Sequence, residues 1–333
     1  MTDWLVIYEK PPQLVKHNAG VNPRPASPTP SPPPASTSAG APAPGDSPDT
    51  AAAPTVAAPV THYENFPVAS VLCPPHLRQP IAALYAFART ADDLADEGTA
   101  PAAERLADLA AYRDELLAVA QGQPPGPRWP GVFGPLQAVL RSHPLPVPLL
   151  LDLLSAFAQD VEKTRDGAGY ADRGELLDYC RRSANPVGRL LLHLYGVSDA
   201  ASLAQSDAIC TALQLINFWQ DLSVDIPRGR YYLPLADCEA HGARAAELLA
   251  LQSTPQNAAL IADCARWARQ TMLSGAPLVH RLPGRAGWEL RLVVQGGLRT
   301  LDKVDALRGA SLYTRPKLHA GDWCRMLVRA LAM

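Results

Sequence analysis

The stretch LQLINFWQDLSVDIPRGRYYLP, residues 213–234, sets Asn217, Asp221 and Asp225 four residues apart in a run otherwise rich in Leu, Ile, Phe, Trp and Val. A helix turns about 100° per residue, so residues four apart drift only about 40° around its axis. Gln214, Asn217, Asp221 and Asp225 therefore share one stripe, with Leu215, Phe218, Trp219 and Leu222 on the neighbouring arc. Upstream, LYAFARTADDLADEG, residues 84–98, gathers Tyr85, Arg89, Asp92 and Asp96 into a second arc by the same arithmetic, with Asp93 and Glu97 beside it. One reading of such stripes is a solvated face, with Arg89 pairing Asp92 or Asp93 at helical spacing. The other starts from the apolar setting, where several carboxylates on one face repel unless a cation joins them. Oxygen-only ligands at this spacing suit Mg²⁺, which keeps waters and bridges to substrate phosphates. Two acidic stripes with arginines nearby describe a site that ionises a diphosphate, with the metal stabilising the leaving group.

The rest of the chain bounds what surrounds these stripes. With 333 residues and a net charge of −2, there is no electrostatic footprint for nucleic acid. Six cysteines stand singly, without a CxxC pair, which predicts free thiols in a reducing compartment. The N-terminus has too short an apolar run for a signal peptide, and no segment approaches the roughly 18 uncharged apolar residues of a membrane span. The expectation is a cytoplasmic protein that meets a membrane, if at all, from its inner surface. Residues 1–60 read as a disordered extension rich in Pro, Ala and Ser, which lacks the side chains to offset its ordering entropy. Its first twenty residues are more apolar and leave room for a short helix or docking motif. Residues 61–333 carry helical periodicity punctuated by Pro and Gly, with no series of alternating strand-like runs, and predict one all-α domain. Leu190–Tyr195 and Ile209–Leu222 are apolar on most faces and belong at the centre of a bundle.

The motifs DDLAD and NFWQDLSVD, in that order, resemble the paired aspartate motifs of the squalene/phytoene synthase family. The stretches HYENFPVASVLCPPHLRQPIAALYAFARTADDLADEG, LLDYCRRSANPVGRLLLHLYG, QLINFWQDLSVD and ELRLVVQGGLRTLDKVDALRG are similar to its hopanoid-pathway hydroxysqualene synthase (HpnC-type) branch. The resemblance runs from His62 to the C-terminus. It implies an isoprenoid synthase fold, a single helical bundle with a central apolar cavity, and Mg²⁺ held between two acidic helices. Asp92, Asp93 and Asp96 would form the first metal-binding motif and Asn217, Asp221 and Asp225 the second, with Asp92, Asp96, Asp221 and Asp225 the catalytic acids. Tyr85, Arg89, Arg230 and Arg315 fall where relatives contact diphosphate or close the site, and Gln214 lines the pocket a turn before Asn217.

The implied reaction ionises presqualene diphosphate, rearranges the cation and quenches it with water to give hydroxysqualene. Quenching by hydride from NADPH to squalene, formation of dehydrosqualene or phytoene, and a non-catalytic assembly factor of the same fold stay open as alternatives. A C30 substrate implies delivery from a bilayer surface and so peripheral membrane contact, although the sequence pattern names no basic amphipathic helix. Oligomeric state is not legible.

Departures from the family pattern carry expectations of their own. YENF keeps only Phe66 of a Ser-Lys-Ser-Phe stretch found in dehydrosqualene synthases. Asn185 and Pro186 stand where relatives have Gly and a small residue, which predicts a helix kink that frees a carbonyl toward the cavity to hold a water, and places Asn185 among the substrate-contacting residues. Gly297 leaves no phenol on its wall. The stretch DGAGY, residues 166–170, reads as surface variation. Asp160 either faces the diphosphate or is a surface acid at a helix end. Of the adjacent Arg181 and Arg182 at most one enters the site. Trp219, Phe218, Phe87 and Leu191 either line the prenyl tunnel or are ordinary core.

Overall fold

The computed structural model describes residues 73–333. Expectations for residues 1–60 and for Phe66 lie outside them. Among the described residues the regular structure is entirely helical: α1 (Pro75–Asp96), α2 (Ala102–Ala120), α3 (Pro130–Ser142), α4 (Val147–Asp166), α5 (Arg173–Ser183), α6 (Asn185–Leu194), α7 (Ala200–Gln220), α8 (Leu222–Asp225), α9 (Leu235–Ala240), α10 (Ala245–Leu249), α11 (Pro255–Gly275), α12 (Arg285–Ala306) and α13 (Ala320–Leu331). The punctuation seen in the sequence does the cutting. Pro75, Pro130 and Pro255 open helices at positions where a missing N–H is no loss. Asp172, Asp199 and Thr254 cap α5, α7 and α11 by accepting from Glu175 N, Ser202 N and Asn257 N.

Two apolar cores result. One gathers around α1–α4 and α6, with Phe87, Tyr112 and Phe133 at its middle. The other surrounds α7, α11 and α12, with Trp219, Met272 and Leu301 fully buried. The long helices α7 and α11 pack along each other. Their approach is closest at Gly275, where a Cβ would stand 2.5 Å from Gln205 O and 2.9 Å from Ile209 N, so only glycine lets the two backbones meet.

Two helices predicted as continuous are divided. The segment predicted to kink at Pro186 breaks instead at Ala184 (φ −119°, ψ −48°), giving α5 and α6, because Pro186 has no N–H for the carbonyl four residues back and its ring crowds that carbonyl, so it fits only the first turn of a new helix. The second acidic helix stops at Gln220, and Asp221 (φ −104°, ψ 13°) forms a joint before α8. Asp221 N still donates to Asn217 O, and Asp225 N to Asp221 O, both at 2.9 Å, so the stripe survives the joint.

Candidate active site

The two acidic segments come from different cores and face each other at the seam. Asp92 and Asp96 sit in the last turns of α1; Asn217, Asp221 and Asp225 occupy the end of α7, the joint and α8. After α8 the chain turns through Gly229, whose φ of 76° suits glycine, and Arg230 N donates to Asp225 O at 3.0 Å. This turn aims the Arg230 guanidinium at Asp96, with which it forms an ion pair across the seam. Arg228, one residue before the glycine, is exposed.

Each predicted arginine holds predicted acids. Arg89 Nε lies 2.9 Å from Asp93 Oδ1, its Nη2 2.9 Å from Glu97 and its Nη1 3.5 Å from Asp92. Arg315 Nε donates to Asp221 Oδ1 at 2.5 Å and its Nη2 to Oδ2 at 3.2 Å, and the Arg315 segment is pinned by Gln220 Nε2 donating to Pro316 O at 2.8 Å. Among the described residues no three His, Cys, Asp or Glu side chains are gathered closely enough to cage a metal by themselves. Arginines stand between the acids instead, which is how a fold tolerates buried carboxylates when no other cation is supplied.

Burial still leaves these acids under strain. It pushes the Asp92 carboxyl up to about 7, with Asp93 and Asp160 adding to the rise and Arg89 opposing it. Asp225 is raised further, by burial first and the charge of Asp221 second. Neither carboxylate oxygen of Asp225, nor Asn217 Oδ1, nor either side-chain atom of Gln214 has a hydrogen-bond partner. Buried polar atoms of this kind are uncommon in native proteins unless a ligand satisfies them. The carboxylate oxygens of Asp225 with the amide oxygen of Asn217 are hard donors of the kind that suits a divalent cation such as Mg²⁺.

Of the two alternatives for Asp160, the structure favours the inward one. The residue lies within α4, continuing the buried stripe of Leu153, Ala156 and Phe157, and that spacing was available in the sequence. Tyr179 donates to its Oδ2 at 2.5 Å and Tyr232 approaches Oδ1 at 3.4 Å, yet burial keeps the carboxyl raised to about 6. Tyr232 stacks on Phe218 with ring centroids 3.9 Å apart, and Tyr170 and Tyr179 complete the cluster. Tyr170, at the end of DGAGY, is thus core rather than surface variation. Asp96, Asp160 and Arg230 line a polar cavity of about 270 Å³ with Arg105, Thr164 and Arg165.

The remaining candidates divide. Tyr85 is half-buried on α1, a turn before Arg89. Asn185 is buried, and its Oδ1 accepts from Thr211 Oγ1 at 2.9 Å, tying α6 to α7. Arg182 reaches Ser155 and Gln159 of α4 while Arg181 pairs with Asp178 at the surface. Phe87, Phe218 and Trp219 belong to the cores. Leu191 lines an apolar cavity bounded by α6, α7 and α12, with Val187, Leu213, Leu290 and Val293 around it. Cys210 and Ser206 of α7 open onto the same cavity. They continue the face of α7 that carries Asn217, at 1.5 Å rise per residue roughly 10 and 16 Å below it. At Gly297 a Cβ would stand 2.9 Å from Met272 Cε and 3.1 Å from Ile216 Cδ1, so neighbouring side chains already fill the space a larger residue would need.

Comparison with known proteins agrees with this geometry. Residues 60–322 match the squalene/phytoene synthase family. The chain belongs to that family. Among its members, the hydroxysqualene synthase of Sinorhizobium fredii is 34% identical over 257 residues, 77% of this chain and 83% of the relative. That of Rhodopseudomonas palustris is 36% identical over 69% of this chain and 75% of its own. The crystal structure of squalene synthase HpnC from Alicyclobacillus acidocaldarius superposes with a TM-score of 0.66 at 37% identity, covering 75% of this chain and 90% of that one. The fold is the all-α isoprenoid synthase fold predicted from the paired motifs.

Proposed function

We propose that the protein is a hydroxysqualene synthase, converting presqualene diphosphate and water to hydroxysqualene and diphosphate. The observation that carries this is the seam: Arg230, from the second acidic segment, pairs with Asp96 of the first, beside a buried Asp225 carboxylate with no hydrogen-bond partner. An apolar cavity of about 140 Å³ continues the same face of α7, where one end of a prenyl chain would lie. The names of the relatives point the same way.

Asp92, Asp93 and Asp96 on one side, and Asn217, Asp221 and Asp225 on the other, would hold Mg²⁺, which when bound supplies positive charge to a departing diphosphate. Arg89, Arg230 and Arg315 are each shared with an acid in this structure, and each has the forked geometry that binds phosphate oxygens. A diphosphate arriving with its cations would let each arginine exchange its carboxylate for a phosphate oxygen without leaving any charge uncompensated. The carbon–oxygen bond to diphosphate then breaks, the cyclopropylcarbinyl cation rearranges in the apolar cavity, and water adds to it with loss of a proton. Excluding bulk water from that cavity protects the cation until rearrangement is complete.

Product analysis tests the reading. Purified protein with Mg²⁺ and presqualene diphosphate should yield a C30 alcohol without NADPH. A hydrocarbon as sole product, or an NADPH requirement, refutes the water quench. Phytoene synthases are also among the relatives, that of Thermus thermophilus at 31% identity over 81% of this chain, against 34% and 36% for the two hydroxysqualene synthases.

A further inference from the structure

Helix α13 carries an apolar face that nothing described covers. Its inner face is fixed to α12: Asp322 lies 2.7 Å from Arg299 and 2.8 Å from Lys303, while Met326 and Ala330 are buried. Burial alone would raise the Asp322 carboxyl, but bonds from Lys303, His319 N and Arg299 hold it low, so this anchor stays charged. At the far end Arg291 donates to Ala330 O at 3.3 Å and stacks over Trp288, which is itself 45% exposed. Turning 100° per residue, the outward arc presents Leu327, Leu331, Cys324 and Val328, with Leu327, Val328 and Leu331 at 50%, 67% and 69% exposure. Arg325 borders this arc, while Arg329 turns back to Asp302 of α12 at 3.2 Å, and Arg285 is exposed at the start of α12, the helix that carries Trp288.

We infer that α13 is an interfacial helix that docks this protein on an anionic lipid surface, Leu327, Val328 and Leu331 entering the acyl boundary and Arg325 with Arg285 meeting headgroups. Three observations favour lipid over a protein partner. An apolar arc with Arg325 on its border, exposed Arg285 on the adjoining helix and a half-exposed Trp288 at one end is a pattern that lies in a bilayer interface. The chain as a whole carries a net charge of −2, so attraction to anionic lipid has to come from a local arrangement such as this one. The loop that enters α13 holds Arg315, the partner of Asp221, so the docked helix begins five residues from the candidate active site. No helix among the described residues is long and apolar enough to cross a membrane, which leaves surface docking as their mode of contact. The inference gives the proposed lipid-diphosphate reaction its surface, and in that respect rests on it; the binding measurement below needs no turnover.

Cys324 supplies the probe. It is the one exposed cysteine of the six, and it lies on the outward arc. The full chain, labelled there with an environment-sensitive fluorophore, should bind vesicles of phosphatidylcholine and phosphatidylglycerol with a blue shift, and neutral phosphatidylcholine vesicles far more weakly. The triple variant Leu327→Ser/Val328→Ser/Leu331→Ser should lower the partition coefficient by about tenfold or more, and Arg325→Gln should weaken binding in a salt-dependent way. Turnover of detergent-dispersed substrate should be unchanged in both variants, so loss of activity across all forms would count against the proposed reaction and not against docking. Unchanged vesicle binding in the triple variant overturns the inference. So does a wild-type dimer that the triple variant dissolves in the absence of vesicle binding, which would make the face a protein interface.

Discussion

Asp92→Asn should make the metal-free chain more stable while abolishing turnover. In the folded protein the Asp92 carboxyl keeps its proton to about pH 7, against 3.8 for an ordinary aspartate. Between those values the folded state binds more protons than the unfolded state, so this group's contribution to stability falls as pH rises. At 1.36 kcal/mol per pH unit the full span corresponds to about 4 kcal/mol above pH 7. Asparagine keeps the shape and removes the charge, and the loss of its weak 3.5 Å contact with Arg89 offsets part of the gain, since Arg89 retains Asp93 and Glu97. The net expectation is a variant more stable by about 2–4 kcal/mol at pH 8, with the advantage shrinking as pH falls below 7 and vanishing near 4. Urea unfolding followed by far-ultraviolet circular dichroism, with chelator present, at pH 8 and pH 5 measures this. Equal or lower stability of the variant at pH 8, or a difference that ignores pH, refutes the argument that burial of this charge strains the apo protein.

Two further substitutions probe the seam and the packing. Arg230→Ala removes the ion pair to Asp96 that bridges the two acidic segments, and turnover should fall about 100-fold with helical content unchanged; steady-state kinetics within a few-fold of wild type would contradict its role. Gly275→Ala sets a methyl group against backbone atoms of α7 and should destabilise by about 2 kcal/mol. Gly134→Ala, where the added methyl meets nothing within 4 Å, should be neutral or stabilising by up to about 1 kcal/mol; equal urea midpoints for the two variants would refute the close-approach argument.

The helical stripes were legible because both acid segments keep i, i+4 spacing through strongly apolar runs, and that periodicity survives even the joint at Asp221. The joint itself was not legible: no Pro or Gly marks it, and Asp221 takes its shape from Arg315, far along the chain. Pro186 announced a break, although the hydrogen bond from Thr211 to Asn185 that secures α6 beside it depends on α7 and left no local trace. Asp160 stayed open between cavity and surface for the opposite reason. Its helix spacing was in plain view, but a lone acid near Lys163 and Arg165 reads as surface until the phenols of Tyr179 and Tyr232 are seen to close over it. The outward face of α13 was hidden by length, since only the contacts with α12 reveal which of its apolar residues are already used.

The clasp between Arg315 and Asp221 spans 94 positions of the chain. During synthesis the acidic segment is therefore finished long before its counter-ion exists. A chain that has not yet emerged to Arg315, or one clipped after α12, lacks this counter-ion for the buried Asp221 carboxylate. Closing the charge balance of the second acidic segment is thus left to a residue made late, after α12 is already complete.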